Sequence, residues 1–162
     1  MVRLRNRYLL CEIIFDERYA NYPAVVSNDI LSEIKNAVVH THGDYGMGAV
    51  QLGLNVKYLN PHTQIFIVRS RRSSYKIVWT SLPFVNKLCK KICKINTLHC
   101  GGTIRTCQKF LLKYQRQQLS GVLLKCQSDE ERKAVKESIL SCTLKEDTED
   151  FMGEDEEDID SS

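Results

Sequence analysis

The chain has 162 residues, enough for one domain with a core and a tail, and its 43% apolar fraction is that of an ordinary globular protein. The net charge of +3 hides an asymmetry: residues 146–162 hold ten acids and no Lys or Arg, so residues 1–145 carry all 23 basic residues against ten acids, a net of +13. No apolar run approaches the ~18 residues of a membrane span, no small-residue cleavage site follows the Arg-rich start, and seven cysteines, an odd number, read as reduced thiols of an intracellular protein.

In chain order, Arg3 to Phe15 opens with basic residues and continues as Tyr8-Leu9-Leu10-Cys11-Glu12-Ile13-Ile14-Phe15. This is a strand buried on at least one face and central in its sheet. Asp16 to Val26, with Asn21 and Pro23, is a connection. Ser27 is placed to cap a helix of about fourteen residues, with Asp29 in its first turn and a core stripe of Ile30, Leu31, Ile34, Ala37 and Val38. His40, His42, Gly43 and Gly46 end it.

Val50 to Leu59 alternates, with Leu52, Leu54, Val56 and Tyr58 on one face. The turn Asn60-Pro61-His62-Thr63 joins it to a strand over Gln64 to Val68, making an antiparallel hairpin that runs out into Arg69, Arg71 and Arg72. Ser73 or Ser74 caps a second helix through Ile77, Val78, Trp79 and Leu82, which Pro83 kinks or ends, with Trp79 as a core anchor. Lys87, Lys90, Lys91 and Lys94 precede a fourth strand, which ends in His99-Cys100-Gly101-Gly102. The two glycines allow φ > 0 and close approach to the backbone. Thr103 then caps a third helix, from about Ile104 to Cys126, in which Ile104, Cys107, Leu111 and Tyr114 form a docking stripe. Arg105, Lys109, Lys113 and Arg116 lie within about 80° of one another on the outer side. A last helix begins at a Ser128 cap, with Glu131 three residues on, and runs to about Ser141.

The order β-α-β-β-α-β predicts an α+β, ferredoxin-like (RNA-recognition-motif-like) sandwich with two additional C-terminal helices. That domain spans residues 1–145, and residues 146–162 form a disordered acidic tail.

A body this basic points to nucleic acid or another polyanion. The strand–Gly–Gly–helix junction is where an anion is best held, because a helix start leaves backbone N–H groups without partners and carries partial positive charge. The same junction also serves as an ordinary chain turn. The expected RNA-binding set is Arg69, Arg71, Arg72, His99, Gly101, Gly102, Thr103, Arg105, Thr106, Lys109 and Lys113. The third strand, Gln64-Ile65-Phe66-Ile67-Val68-Arg69, lacks the aromatic run that stacks bases in the common RNA-recognition motif, so contacts to phosphates and sugars are expected instead. Cys89, Cys93, Cys100 and Cys107 have no C-x₂-C knuckle. No acid–base pair or nucleophile–base order stands out. No catalytic residue, metal or cofactor is therefore expected.

Arg7-Tyr8-Leu9-Leu10, Lys57-Tyr58-Leu59-Asn60 and above all Leu98-His99-Cys100-Gly101-Gly102-Thr103-Ile104-Arg105-Thr106-Cys107-Gln108-Lys109-Phe110-Leu111 resemble the eukaryotic "processing of precursors, five" (Pop-five) family of ribonuclease P and ribonuclease MRP subunits. The likeness covers about residues 1–145. It implies a non-catalytic, nuclear and nucleolar protein that touches ribonuclease P RNA and ribonuclease MRP RNA and pairs with a barrel-fold subunit of the same particle, with no membrane association. The particles remove 5′ leaders from precursor tRNA and cut precursor rRNA. Two other readings stay open on the residues alone: a stand-alone ferredoxin-like hydrolase using His99 or Cys107, and a protein-interaction module with a basic face.

Overall fold

The computed structural model describes residues 5–16, 25–125 and 130–137. Its elements are β1 (Asn6–Phe15), α1 (Ser27–Val50), β2 (Asn55–Asn60), β3 (Ile65–Arg71), α2 (Tyr75–Ser81), β4 (Lys87–Leu88), β5 (Lys91–Gly101) and α3 (Ile104–Lys125), with a further helical segment at 130–137. The chain forms two compact units, Met1–Cys107 and Gln108–Ser162, so the division falls inside α3.

In the first unit the sheet order is β2-β3-β1-β5-β4, with every pairing antiparallel. Without the short β4, this is the expected ferredoxin-like order, with β1 central. One face of β1 buries Leu9, Cys11, Ile13 and Phe15 together with Phe66 and Val68 of β3 and Cys93 and Ile95 of β5. Ile30, Ile34, Ala37 and Val38 of α1 and Val78 of α2 join the same core, so the stripe read from helical spacing is the buried one. On the other face Tyr8, Leu10, Ile65 and Ile67 are also buried.

Several boundaries differ from expectation for physical reasons. The cap of α1 is Val26, not Ser27; the Asp29 carboxylate accepts the Val26 N–H at 3.3 Å, which leaves Ser27 as the first helical residue. The helix does not stop near His40. It bends at Gly43, whose φ of 64° and ψ of −162° only glycine adopts without strain, and continues to Val50. Side-chain bonds to α2 hold this stretch: Thr41 Oγ1 to Ser81 Oγ and His42 Nε2 to Thr80 Oγ1, both at 2.8 Å. Val50 therefore ends a helix instead of starting a strand. Leu52 is 77% exposed, and a bulge between Val56 and Tyr58 breaks the expected alternation in β2.

In α2 the buried anchor is Val78, while Trp79 is 46% exposed, a correction to its expected core role. Ser74 stands at the cap position but makes no side-chain cap bond. Pro83 falls in a 3₁₀ turn, Leu82–Phe84, that stops the helix as expected. The lysine-rich stretch folds into an extra edge hairpin, β4–β5, whose turn residues Cys89 and Lys90 both have positive φ (49° and 64°). The Ser128 cap, the end of the last helix and the acidic tail lie outside the described residues.

Candidate nucleic-acid interface

Because β3 and β5 both run antiparallel to β1, their carboxyl ends flank its amino end. That topology alone gathers three chain segments that are distant in sequence. Asn6 pairs with Arg71, Arg7 with Ser70, and Tyr8 with both Arg69 and Gly101. Beyond the last strand pair the Arg72 N–H donates to the Arg5 carbonyl at 2.9 Å, which extends the β1–β3 alignment by another step. A register shift in β5, facing Leu10 and Cys11, sets His99 opposite Leu10 and Gly101 opposite Tyr8.

A cavity of about 390 Å³ opens at this sheet end, lined by Arg5, Asn6, Arg7, Tyr8, Arg72, Gly102 and Thr103. Of these described lining residues three are arginines and none is acidic. Arginine presents a rigid fork of donors matched to phosphate oxygens, so this lining selects for anions.

The β5–α3 junction is built by reciprocal hydrogen bonds. Thr103 Oγ1 accepts the Thr106 N–H at 3.2 Å, so Thr103 is the expected cap. Thr106 Oγ1 accepts the Thr103 N–H at 3.4 Å and donates to the Thr103 carbonyl at 2.7 Å. The glycines act differently from expectation, because neither Gly101 nor Gly102 has positive φ. Gly101 is needed for space: a Cβ there would overlap Thr106 Oγ1 and lie 3.0 Å from Cys107 Sγ. A Cβ on Gly102 would meet only Arg7 Nη1, at 3.3 Å.

Of the sequence-derived set, Arg72, Gly102 and Thr103 line the cavity. Arg69 and Arg71 pair with Tyr8 and Asn6 on the neighbouring strand, and His99 lies further along the sheet beside Leu10. Arg105 is half-buried in the first turn of α3, Thr106 serves the cap and Gly101 packs beneath it. Lys109 and Lys113 are exposed, one turn apart on the part of α3 that belongs to the second unit. Reading the sequence for the site missed Arg5, Asn6, Arg7 and Tyr8. The available signal was the two-residue spacing of Arg5 and Arg7 at the head of a strand, which puts both on one face.

Cys107 is buried, and its thiol donates to the Tyr8 carbonyl with Sγ–O at 3.6 Å. Burial pushes that thiol up to about 11 and the Cys11 thiol up to about 12. A thiol held protonated is a poor nucleophile, which argues against the hydrolase reading that used Cys107. Burial also raises Cys100, opposed in part by the Arg7 guanidinium. Among the described residues no group of three or more His, Cys, Asp or Glu is arranged to hold a metal ion, and no helix is long and apolar enough to cross a membrane.

The fold and this site define a ferredoxin-like α+β protein with a cationic pocket at the end of its sheet, beside the amino end of its central strand. Residues 7–112 match the family model described as the Rpp14/Pop5 family, and the chain belongs to that family. It is 45% identical over 150 residues to the ribonuclease P/MRP protein subunit POP5 of Danio rerio, covering 89% of this chain and 88% of the relative. Against the Homo sapiens subunit of the same name the identity is 41% over 155 residues, covering 92% and 94%. A chain in the cryo-EM structure of yeast ribonuclease MRP has the same fold, with a TM-score of 0.50 at 14% identity over 93% of this chain and 97% of that one.

Proposed function

We propose that this chain is a non-catalytic subunit of ribonuclease P and ribonuclease MRP that binds and stabilises the particles' RNA. The observation that carries the reading is near full-length similarity to proteins named as ribonuclease P/MRP subunits, at 40–45% identity in four vertebrates. The cationic sheet end supplies a physical means, since phosphate contacts position an RNA without reading its bases. In this reading the RNA performs the cleavage that removes 5′ leaders from precursor tRNA, and the MRP particle cuts precursor rRNA. A barrel-fold subunit of the same particle is the protein partner, and the site of action is the nucleus and nucleolus.

The test is to recover the tagged full-length chain from cell extract and sequence the co-purifying RNA. Enrichment of the ribonuclease P and MRP RNAs supports the reading, and recovery without either RNA overturns it. Replacing Arg105 and Lys109 with Ala should flatten the log–log salt dependence of RNA binding by roughly one to two units.

A further inference from the structure

We propose that the cavity at the head of β1 is a discrete binding site for one phosphate group of an RNA chain, distinct from the diffuse basic surface on α3. This deepens the RNA reading above and rests on it for the source of the phosphate.

Three observations carry the assignment. The first is charge. Arg5, Arg7 and Arg72 line one cavity, and none of its described lining residues is a carboxylate, so three cations are gathered there without an acid among them. An anion relieves that repulsion, and the more so the further the site is withdrawn from bulk water.

The second is preorganisation. Arg5 and Arg7 stand two residues apart at the head of β1, about 7 Å along the strand, close enough to flank a single phosphate. Arg72 arrives from the opposite strand, and its own N–H is tied to the Arg5 carbonyl at 2.9 Å. The backbones carrying these guanidinium groups are fixed by sheet pairing before any ligand arrives, which lowers the entropy cost of binding. Gly102 leaves the Arg7 guanidinium room: any side chain there would begin 3.3 Å from Nη1.

The third is size. A cavity of about 390 Å³ lies at the small end of the range of ligand sites. That accommodates one phosphate with its sugar, whereas a groove that follows a strand covers ~4 or more nucleotides. The occupant is therefore a single phosphate, contributed either by an RNA end or by a phosphodiester at a sharp turn of the backbone.

The experiment titrates inorganic phosphate into the ¹⁵N-labelled full-length chain and follows the Gly102 and Thr103 amide resonances. They should move in a saturable way. Arg7→Gln with Arg72→Gln should weaken binding at least about tenfold, since a charge-assisted hydrogen bond is worth about a factor of ten or more. Lys76→Gln, on the exposed side of α2, should change nothing. Gly102→Asp, which sets a carboxylate against Arg7, should abolish the Thr103 shift while every arginine is kept, and it covers the case in which the double variant does not fold. A 5′-phosphorylated trinucleotide and its 5′-hydroxyl counterpart then compete with phosphate: stronger competition by the phosphorylated form marks an RNA end, and equal competition marks an internal phosphodiester. No movement at Gly102 and Thr103, or equal weakening by Lys76→Gln, overturns the site. Phosphate binding without RNA in the pull-down overturns the RNA reading and leaves the site standing. RNA recovery without phosphate binding does the reverse.

Discussion

Gly101→Ala should be among the most damaging single-methyl changes in the chain, although it adds only one carbon. The new Cβ would occupy the space of Thr106 Oγ1 and sit 3.0 Å from Cys107 Sγ and 3.2 Å from the Thr103 carbonyl. Thr106 would have to rotate away, and its hydroxyl makes one half of the reciprocal junction, accepting from the Thr103 N–H and donating to its carbonyl. Cys107 cannot yield freely either, since its thiol is bonded to the Tyr8 carbonyl in the central strand. Overpacking of this kind costs about 1–3 kcal/mol, and losing the Thr106 hydroxyl's bonds to Thr103 adds ~1 kcal/mol. A total of about 3 kcal/mol lowers the urea midpoint by ~1.5 M at a slope of ~2 kcal/mol/M. Gly102→Ala is the internal control. Its Cβ meets only the flexible end of Arg7, and its backbone is not left-handed, so the change should be within ~0.5 kcal/mol. Adding Thr106→Ala to Gly101→Ala removes the obstructing hydroxyl, and the pair should be less destabilised than the sum of the two single changes by at least ~1 kcal/mol. Equal midpoints for Gly101→Ala and Gly102→Ala, or additive losses in the double variant, would refute this account of the junction.

Gly43→Ala tests strain without crowding: nothing lies within 4 Å of its missing Cβ, yet the bend in α1 should cost about 1–3 kcal/mol once a side chain is present, as read by thermal denaturation. Alkaline stability should reflect the buried thiols. Cys11, Cys93 and Cys107 are raised from 9.0 to about 12, 11 and 11, so above pH 9 the unfolded chain loses protons that the folded chain keeps. The urea midpoint should then fall as pH rises from about 9 toward 11–12, these groups adding no pH dependence below about 9, and a midpoint flat across that window contradicts it. Alkylation at pH 8 should mark exposed Cys89 before Cys11, Cys93 and Cys107, a ranking that peptide mass mapping checks directly. Removing residues 146–162, with their ten carboxylates, should tighten binding to non-cognate RNA at low salt. Equal affinities of both forms at ~50 mM and ~200 mM salt would leave the tail without that role.

The alternating and helical periods of this chain were enough to determine the order β-α-β-β-α-β of its main elements, the central place of β1 and the core stripe Ile30, Ile34, Ala37 and Val38, because burial imposes those periods on sequence. The Thr103 cap and the helix beyond the glycines were equally legible, since capping is a local matter of residue type and spacing. Where local preference and tertiary packing disagreed, packing decided. Val50 to Leu54 alternates like a strand, yet Val50 completes a helix that is tied to α2 through Thr41 and His42. Trp79 has the greater apolar surface, but its neighbour Val78 points inward. The Cys89-Lys90 turn carries no glycine, so its left-handed conformation and the extra hairpin had no sequence signature. The cavity was the least readable feature of all. Arg5 and Arg7 are more than sixty positions from Arg72 and more than ninety from Gly102. Only the antiparallel pairing of β1 with both β3 and β5 brings three strand ends together and makes one site of them.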